Sequence, residues 1–443
     1  MGRRHRRARL PEGDFETEIG DMRHDGRGVA RVEGKATFVH GALPGETVRF
    51  RYLKRRRGHD EGQVVSVIKA AENRVPPRCA HYGICGGCSL QHLDPEAQVQ
   101  SKQTVLMDNF RQIGQVTPES VLPPIVNESP WGYRRKARLG VKDVARKGKV
   151  LVGFRERGSS FVADLDKCHV LHPRVGELLP ALSALVESLS ISDRLPQIEM
   201  AMDDERCVLI LRILDPLTPE DERRLGAFQA EHAVVFYLQS GGPDTVTPLS
   251  VAVDLHYDLP DYGVTLGFLP SDFTQVNTDI NRKMIAHAIS LLDLQTSDKV
   301  LDLFCGIGNF TLPMARHCTQ VVGVEGSAGL VERARANAER NALANVEFFT
   351  ADLYGDLPTE PWMMHTYDKA LLDPPRSGAL QVLPMLPKMG IKRIVYVSCY
   401  PGTLARDAGE LVNNYGYRLA GAGVMDMFPH TAHVESIALF EKD

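Results

Sequence analysis

Residues 299–315, KVLDLFCGIGNFTLPMA, place an apolar strand directly before a glycine-rich turn and a following helix. Gly306 and Gly308 have no side chains, so the backbone can pass close to a ligand at the carboxyl end of a parallel strand. The turn is not G-x-G-x-x-G, and no P-loop lysine follows it, so a dinucleotide or a nucleoside triphosphate fits poorly. The segment therefore predicts a site for S-adenosyl-L-methionine, which has no phosphate that needs such a cradle.

Two carboxylates follow this turn where a nucleoside would need them. The next predicted strand, VVGVE, ends at Glu325, about twenty residues further on, where a carboxylate can hold both ribose hydroxyls. The strand after that is followed by TADL, in which we expect Asp352 to meet the adenine edge.

Strands and helices alternate from about residue 270 onward, which is the pattern of a doubly wound α/β sheet. The predicted strands are 299–304, 321–325, 346–350, 368–372 and 393–398, with a helix at 328–341. Residues 12–68 carry short apolar runs between Gly- and Pro-containing turns, which predicts a small OB-like β-barrel. We therefore predict a multidomain α/β protein with three parts: an N-terminal β-barrel domain at 1–70, a central α+β domain with a cysteine cluster at 71–265, and a class I, Rossmann-like methyltransferase domain at 266–443.

Charge is distributed unevenly along the chain. Residues 1–150 carry 28 Lys+Arg against 17 Asp+Glu, whereas residues 151–443 carry 24 against 39. The excess of basic residues predicts that the N-terminal part faces a polyanion, and a solvated basic surface on an ordinary domain is the alternative. One basic run, from Arg51 to Arg57, is expected between the last two barrel strands, where basic loops are common in RNA-binding barrels.

Features of membrane or exported proteins are missing from the sequence. No apolar run is long enough to span a bilayer, and the Arg-rich start from Arg3 to Arg9 lacks the apolar core of a signal peptide. We therefore expect a cytoplasmic protein without membrane contact. Nothing in the sequence indicates an obligate protein partner.

Reactive side chains follow the last strands of the series. LLDPPRSG places Asp373 after the fourth strand, and VSCYPGTLARD places Cys399 after the fifth, on the same sheet edge as the cofactor turn. HTAHVESIALF places Glu435 at the start of a final strand. Enzymes that methylate amines carry an aromatic residue after Asp-Pro-Pro, where this chain has Arg376, so an amine is a poor candidate substrate.

A cysteine and a carboxylate are what methylation of uracil at carbon 5 requires. A thiolate that adds to C6 makes C5 nucleophilic, and a base must then remove the C5 proton so that the thiolate can leave. We therefore predict Cys399 as the nucleophile and Glu435 as the base, with Asp373 holding the uracil edge or stabilising the enolate. The alternative is that Cys399 is only a small packing residue at the end of a buried strand.

The segments LDPPRSG, SCYPGTLARD and HVESIALF resemble the signature segments of the RNA uracil-5-methyltransferase family. DFTQVN resembles the glutamine motif of the same family, and the resemblance covers nearly the whole chain. The residues after the cysteine, Tyr400 to Gly402, differ from those usual in the family. The resemblance implies a cofactor site lined by Gln275, Phe304, Asn309, Glu325, Asp352 and Asp373.

Three of the eight cysteines crowd into CAHYGICGGC, at Cys79, Cys85 and Cys88. With Cys168 in DKCHVLHP they make a set of four thiols, which suits zinc or an iron–sulfur cluster. The spacing differs from the C-x3-C-x2-C of radical S-adenosylmethionine enzymes. Resemblance to the cluster-bearing members of the family implies a [4Fe–4S] cluster held by these four cysteines, with a structural or RNA-contacting role.

The segment HDGRGVARVEGKATFVHGALPGE resembles the TRAM RNA-binding module. A TRAM-like barrel together with a cysteine cluster is similar to the members of the family that methylate 23S rRNA at the uracil-1939 site. The resemblance therefore implies 23S rRNA as the partner. Access to C6 further implies that the uracil leaves its stack.

Other functions stay open on the sequence alone. The same chemistry would serve another rRNA uracil or a tRNA uracil. A non-catalytic iron–sulfur RNA-binding protein would retain the fold, although an intact Cys399 and Glu435 argue against it. An RNA cytosine-5-methyltransferase would normally carry a Pro-Cys motif, which this sequence lacks.

Overall fold

The computed structural model describes residues 10–355 and 360–443, so the Arg-rich start predicted from Arg3 to Arg9 lies outside the described residues. Within the described ranges, no helix is long and apolar enough to cross a membrane. The chain divides into two compact units. Unit 1 comprises the chain up to Lys102, Glu156–Ser159 and Phe428–His433, and unit 2 comprises Gln103–Arg155, Ser160–Met427 and Val434–Asp443.

Unit 1 contains a six-stranded sheet in the spatial order β1–β5–β6–β4–β3–β2. Its strands are β1 (Phe15–Glu18), β2 (Asp21–Met22), β3 (Gly28–Val32), β4 (Lys35–His40), β5 (Thr47–Arg55) and β6 (Asp60–Lys69). Neighbouring strands are antiparallel except for β4 and β6. Val48, Phe50 and Tyr52 alternate along β5 into an apolar core, which explains why the sheet forms from a strongly basic sequence.

The predicted position of the basic run was wrong. Arg51, Lys54 and Arg55 belong to β5 itself, and only the last two arginines lie in the turn before β6. The strand continues this far because it pairs with β6, where Arg55 lies opposite Asp60. Arg56 donates from Nε to Glu61 Oε1 at 3.0 Å, so acidic residues of β6 balance part of the charge.

Unit 2 contains a second six-stranded sheet in the order β13–β12–β11–β10–β8–β9. Its strands are β8 (Lys136–Val144), β9 (Lys149–Gly153), β10 (Gln197–Met202), β11 (Cys207–Arg212), β12 (Val235–Gln239) and β13 (Val246–Pro248). The helices of this region are α2 (Pro173–Gly176), α3 (Leu179–Ser188) and α4 (Pro219–His232). It is preceded by a helix, α1 (Pro95–Asn109), which ends in one π-helical turn over Phe110–Gly114.

An eight-stranded sheet of unit 2 has the order β18–β17–β16–β19–β20–β22–β21–β7. Its strands are β7 (Ser120–Val121), β16 (Lys299–Leu303), β17 (Gln320–Glu325), β18 (Val346–Thr350), β19 (Lys369–Leu372), β20 (Arg393–Ser398), β21 (Arg418–Met425) and β22 (Glu435–Glu441). A separate hairpin consists of β14 (Leu255–Leu259) and β15 (Val264–Phe268). The accompanying helices are α5 (Thr278–Leu292), α6 (Thr311–Ala315), α7 (Ala328–Arg340) and α8 (Pro401–Asn413).

Five consecutive strands of this sheet, β16 to β20, begin at the β18 edge and are mutually parallel. Strands β16, β17, β19 and β20 are almost continuously buried, as expected for parallel strands covered on both faces. All five predicted strands are confirmed to within one residue of their predicted ends, and the alternating α/β pattern from residue 270 onward is confirmed. The carboxyl ends of these strands therefore meet at one edge, which carries the candidate site.

Candidate active site

A cavity of about 490 Å³ lies at the carboxyl edge of the parallel strands. The structure brings together all eight side chains predicted for catalysis and cofactor binding. They line this cavity as Gln275, Phe304, Asn309, Glu325, Asp352, Asp373, Cys399 and Glu435. Their placement in one cavity is the geometric basis for assigning them to a single reaction.

The glycine-rich turn after β16 is tied to the end of β17. Phe304 adopts a left-handed conformation with φ of 65°, which is uncommon for a residue other than glycine, and its N–H donates to Val324 O at 2.8 Å. The Glu325 carboxylate accepts from Gly306 N at 3.2 Å and from Ser327 N at 3.0 Å. These bonds fix the Glu325 carboxylate at the mouth of the turn, where the predicted ribose contact requires it.

Asn309 is held by two residues that the sequence analysis missed. Tyr257 Oη donates to Asn309 Oδ1 at 2.7 Å, and the amides of Asn281 and Asn309 exchange two hydrogen bonds of 3.0 Å. Tyr257 lies on β14 and also lines the cavity. Neither residue belongs to a recognisable motif, so no sequence signal identified them.

Tyr354 is a third residue that the sequence did not point to. Its N–H donates to Asp352 Oδ1 at 3.0 Å, and its hydroxyl donates to Gly378 O at 2.8 Å. Its ring lies 5.7 Å from that of Phe304, centroid to centroid. Tyr354 thus holds the Asp352 carboxylate and gives the cavity an aromatic wall on which a flat ring can stack.

Cys399 and Glu435 lie side by side because β20 and β22 are antiparallel neighbours. Ser398, the last residue of β20, pairs with Ser436 of β22. Cys399 directly follows Ser398, and Glu435 directly precedes Ser436, so both lie at the cavity end of the pair. Directly opposite residues of an antiparallel pair have Cα atoms about 4.5–5.5 Å apart. Helix α8 begins at Pro401, and its N-terminal dipole favours a thiolate at the cysteine before it.

Burial and neighbouring charges shift the protonation of Cys399 and Asp373. Burial, together with the charges of Glu435 and Asp373, raises the pKa of the Cys399 thiol to about 11, although Arg376 opposes the shift. Burial also raises the pKa of the Asp373 carboxyl to about 8, with Glu435 and Asp302 adding to the shift. At neutral pH Asp373 therefore carries a proton and can donate a hydrogen bond, whereas only a small fraction of Cys399 is thiolate.

The predicted cluster ligands are distributed over both units. Cys79, Cys85 and Cys88 lie in unit 1, and Cys168 lies in unit 2. Gly87 N donates to Cys85 Sγ at 3.4 Å. Among the residues that the structure describes, no three His, Cys, Asp or Glu side chains are arranged to hold a metal ion.

Comparison with known proteins agrees with the geometry. The sequence profile described as tRNA (Uracil-5-)-methyltransferase matches residues 256–353 and 361–443. The chain is 56% identical over 445 residues to the 23S rRNA (uracil(1939)-C(5))-methyltransferase RlmD of Alkalilimnicola ehrlichii, covering 100% of this chain and 99% of that protein. It is also 56% identical to the protein of the same name from Stenotrophomonas maltophilia, covering 98% and 99%.

A solved structure shares the fold. The Pyrococcus abyssi tRNA (uracil-54, C5)-methyltransferase in complex with S-adenosyl-L-homocysteine superposes with a TM-score of 0.74. The match covers 96% of this chain and 100% of that protein at 22% sequence identity, so it supports the arrangement of elements rather than the details of the site.

The raised pKa of Cys399 predicts a steep pH dependence for its alkylation. Because the thiolate is the reactive form, the rate of iodoacetamide modification should rise about tenfold per pH unit between about pH 7 and pH 9. Glu435→Gln removes one of the charges that raise this pKa, so the variant should react faster at a given pH. Mass spectrometry of the Cys399 peptide measures the rate. A rate that stays flat over this range would contradict the assignment, because it would mean that the thiolate is already formed.

Proposed function

Because this chain belongs to the RNA uracil-5-methyltransferase family, we propose that it methylates carbon 5 of uracil 1939 in 23S rRNA. The observation that carries the proposal is the single cavity in which Cys399, Asp373 and Glu435 meet the glycine-rich turn. A thiol, a protonated carboxyl and a second carboxyl are the groups that this reaction uses. The enzyme is accordingly a methyltransferase that depends on S-adenosyl-L-methionine.

The cavity suits the methyl donor in size and in chemistry. Its volume of about 490 Å³ lies in the range of nucleoside-sized ligands. Glu325, fixed by two backbone N–H groups, would accept from the ribose hydroxyls, and Asp352 would meet the adenine edge. Gln275, Phe304 and Asn309 complete the proposed cofactor-binding set. S-adenosyl-L-methionine supplies a methyl group on a positively charged sulfur.

Cys399 would start the reaction by adding to the uracil ring. The Cys399 thiolate forms a bond to C6, and the C5–C6 π electrons move toward the C4 carbonyl oxygen to give an enolate. Asp373, protonated at neutral pH, donates a hydrogen bond to the uracil edge where this negative charge develops. The electron-rich C5 would then bond to the methyl group as the S–CH3 bond breaks, and the bond's electrons would stay on the sulfur of the departing S-adenosyl-L-homocysteine.

Glu435 would complete the reaction by removing a proton. The carboxylate takes the C5 proton, the C–H electrons re-form the C5–C6 double bond, and the C6–S bond breaks so that Cys399 leaves as a thiolate. The register of β20 and β22 supports this role, because it holds Glu435 beside the sulfur that must leave. The carboxylate and the thiolate act in sequence on the same ring.

Unit 1 would contact the RNA, with its six-stranded sheet as the TRAM-like module. Arg49, Arg51 and Lys54 are exposed along β5, which suits contacts with phosphates. The guanidinium groups of Arg23 and Arg27 lie 4.7 and 5.3 Å from the centroid of the Phe38 ring. Such a combination of guanidinium and aromatic groups suits an unstacked RNA base.

A [4Fe–4S] cluster on Cys79, Cys85, Cys88 and Cys168 belongs to the same proposal. The donor chemistry fits, because four thiols are the usual ligand set and an N–H donor already points at Cys85 Sγ. The proposal rests on this chemistry and on the resemblance to cluster-bearing relatives. No step of the methyl transfer is assigned to the cluster.

The three-part division of the chain into 1–70, 71–265 and 266–443 stays a prediction. The two compact units group the residues differently, since unit 1 extends to Lys102 and takes in two later segments. A cytoplasmic location is likewise proposed from the rRNA substrate.

Two substitutions test the mechanism. Cys399→Ala removes the nucleophile and should lower methyl transfer to unmodified 23S rRNA by more than about 1,000-fold. Glu435→Gln keeps the size of the side chain but removes the base, so a covalent protein–RNA adduct should accumulate on a denaturing gel. Cys318→Ala changes a buried cysteine that does not line the cavity and should leave turnover unchanged. An active Cys399→Ala variant, or methylation of tRNA without methylation of 23S rRNA when the labelled product is mapped, would overturn the proposal.

Metal analysis tests the cluster. Protein purified without oxygen should be brown and contain four iron atoms and four sulfides per chain, because four thiolates hold the cluster. Cys168→Ser should lose iron and colour, whereas Cys207→Ser, which changes a buried cysteine outside the proposed set, should keep both. A colourless protein with stoichiometric zinc would contradict the assignment.

A further inference from the structure

The loop between β21 and β22, which precedes Glu435, is divided between the two units. Met425 at the end of β21 pairs with Glu435 at the start of β22, so residues 426–434 form the loop of an antiparallel hairpin. Six of these nine residues, Phe428–His433, belong to unit 1, whereas both strands of the hairpin belong to unit 2. We refer to Phe428–His433 as the anchor loop.

Gln98 on helix α1 holds the middle of the anchor loop. Its side chain is 1% exposed, and its Oε1 accepts from His430 N at 2.8 Å. Its Nε2 donates to Leu93 O at 2.8 Å and to Leu90 O at 3.1 Å. Gln98 therefore links the anchor loop to the segment that follows the cysteine-rich loop.

His430 is the residue of the anchor loop with a strained backbone conformation. It has a φ of 65° and is 3% exposed, a left-handed conformation that residues other than glycine rarely adopt. Its carbonyl oxygen accepts from Ser89 N and from Leu90 N, each at 2.9 Å. Ser89 Oγ also accepts from Ala432 N at 2.9 Å. The anchor loop is thus fixed by several bonds that converge on one residue.

Lys102 holds the start of the anchor loop. It lies one turn further along α1 and is 2% exposed, and its ammonium group donates to Phe428 O at 3.0 Å. A buried ammonium group is costly unless it serves a defined contact, so its presence here indicates that the position of this carbonyl matters. Helix α1 therefore hydrogen-bonds the anchor loop at two residues, Phe428 and His430.

We propose that Gln98 and Lys102 are positioning residues for Glu435. The anchor loop ends at His433, two residues before Glu435, so its anchoring on α1 sets where the β22 strand begins and where the carboxylate reaches the cavity. Cys399 follows β20 and precedes helix α8, in a chain segment that does not include the anchor loop. Loss of the anchor therefore slows the removal of the C5 proton more than the addition of the thiolate. This inference rests on the proposed function.

The test measures the two chemical steps separately in the full-length protein. Gln98→Met keeps the size of the side chain but removes all of its hydrogen bonds. With S-adenosyl-L-methionine and a 23S rRNA fragment that contains the target, turnover should fall by roughly tenfold, with the RNA KM little changed. The covalent protein–RNA adduct should accumulate above the wild-type level. Gln98→Glu, which keeps an oxygen to accept from His430 N, should recover part of the turnover.

Matched variants make the outcome decisive. Gln103→Met changes a glutamine of the same helix whose amide has no hydrogen-bond partner among the described residues, and it should behave as wild type. Unchanged turnover in Gln98→Met would overturn the inference. Parallel loss of turnover and adduct would also overturn it, because the role would then be structural. Glu435→Gln serves as the reference: if it forms no adduct, the proposed function itself fails.

Discussion

The antiparallel pairing of β22 with β20 is the constraint on which the rest of the site depends. Four parallel strands bring the cofactor turn, Glu325, Asp373 and Cys399 to one edge of the sheet, as in any doubly wound fold. Only the reversed strand beside β20 adds a carboxylate next to the sulfur. With Ser398 opposite Ser436, the register leaves Cys399 and Glu435 as neighbours at the mouth of the cavity.

The closeness of Cys399, Asp373 and Glu435 affects the protonation of the thiol and of Asp373. Burial and the two carboxyl groups beside Cys399 raise the pKa of its thiol, so little of the reactive thiolate is present at neutral pH. Burial, with a further contribution from Glu435 and Asp302, raises the pKa of Asp373 to about 8, so this group is a proton-bearing donor at neutral pH rather than a third negative charge. The positively charged sulfur of the methyl donor offsets the negative charge beside Cys399 and favours the thiolate. The uracil ring then accepts the electrons of that thiolate. In the free protein the Cys399 thiol is therefore mostly protonated, which limits its side reactions.

The sequence predicted the parts of the site that follow a strand end, because β-strand patterning and the shared edge of parallel strands place such residues reliably. Glu325, Asp373 and Cys399 are of this kind. Tyr257, Asn281 and Tyr354 could not be found in this way, since they reach the cavity, or in the case of Asn281 its lining residue Asn309, through tertiary packing and carry no motif. The role of Gln98 could not be predicted from the sequence either, because its hydrogen-bond partner His430 lies 332 residues away in the chain. The basic run was misplaced because β6 supplies acidic partners that extend β5.

The proposed mechanism requires that Cys399 bonds to C6 of the target uracil and that Glu435 then removes the C5 proton. An RNA fragment with 5-fluorouridine at the target position tests it most directly, since a fluorine at C5 cannot be removed as a proton and the adduct persists. After incubation with S-adenosyl-L-methionine and digestion, mass spectrometry should find a methylated fluorouridine nucleotide attached to Cys399. A nucleotide attached to another cysteine, or no covalent adduct from a protein that methylates the unmodified RNA, would contradict the account.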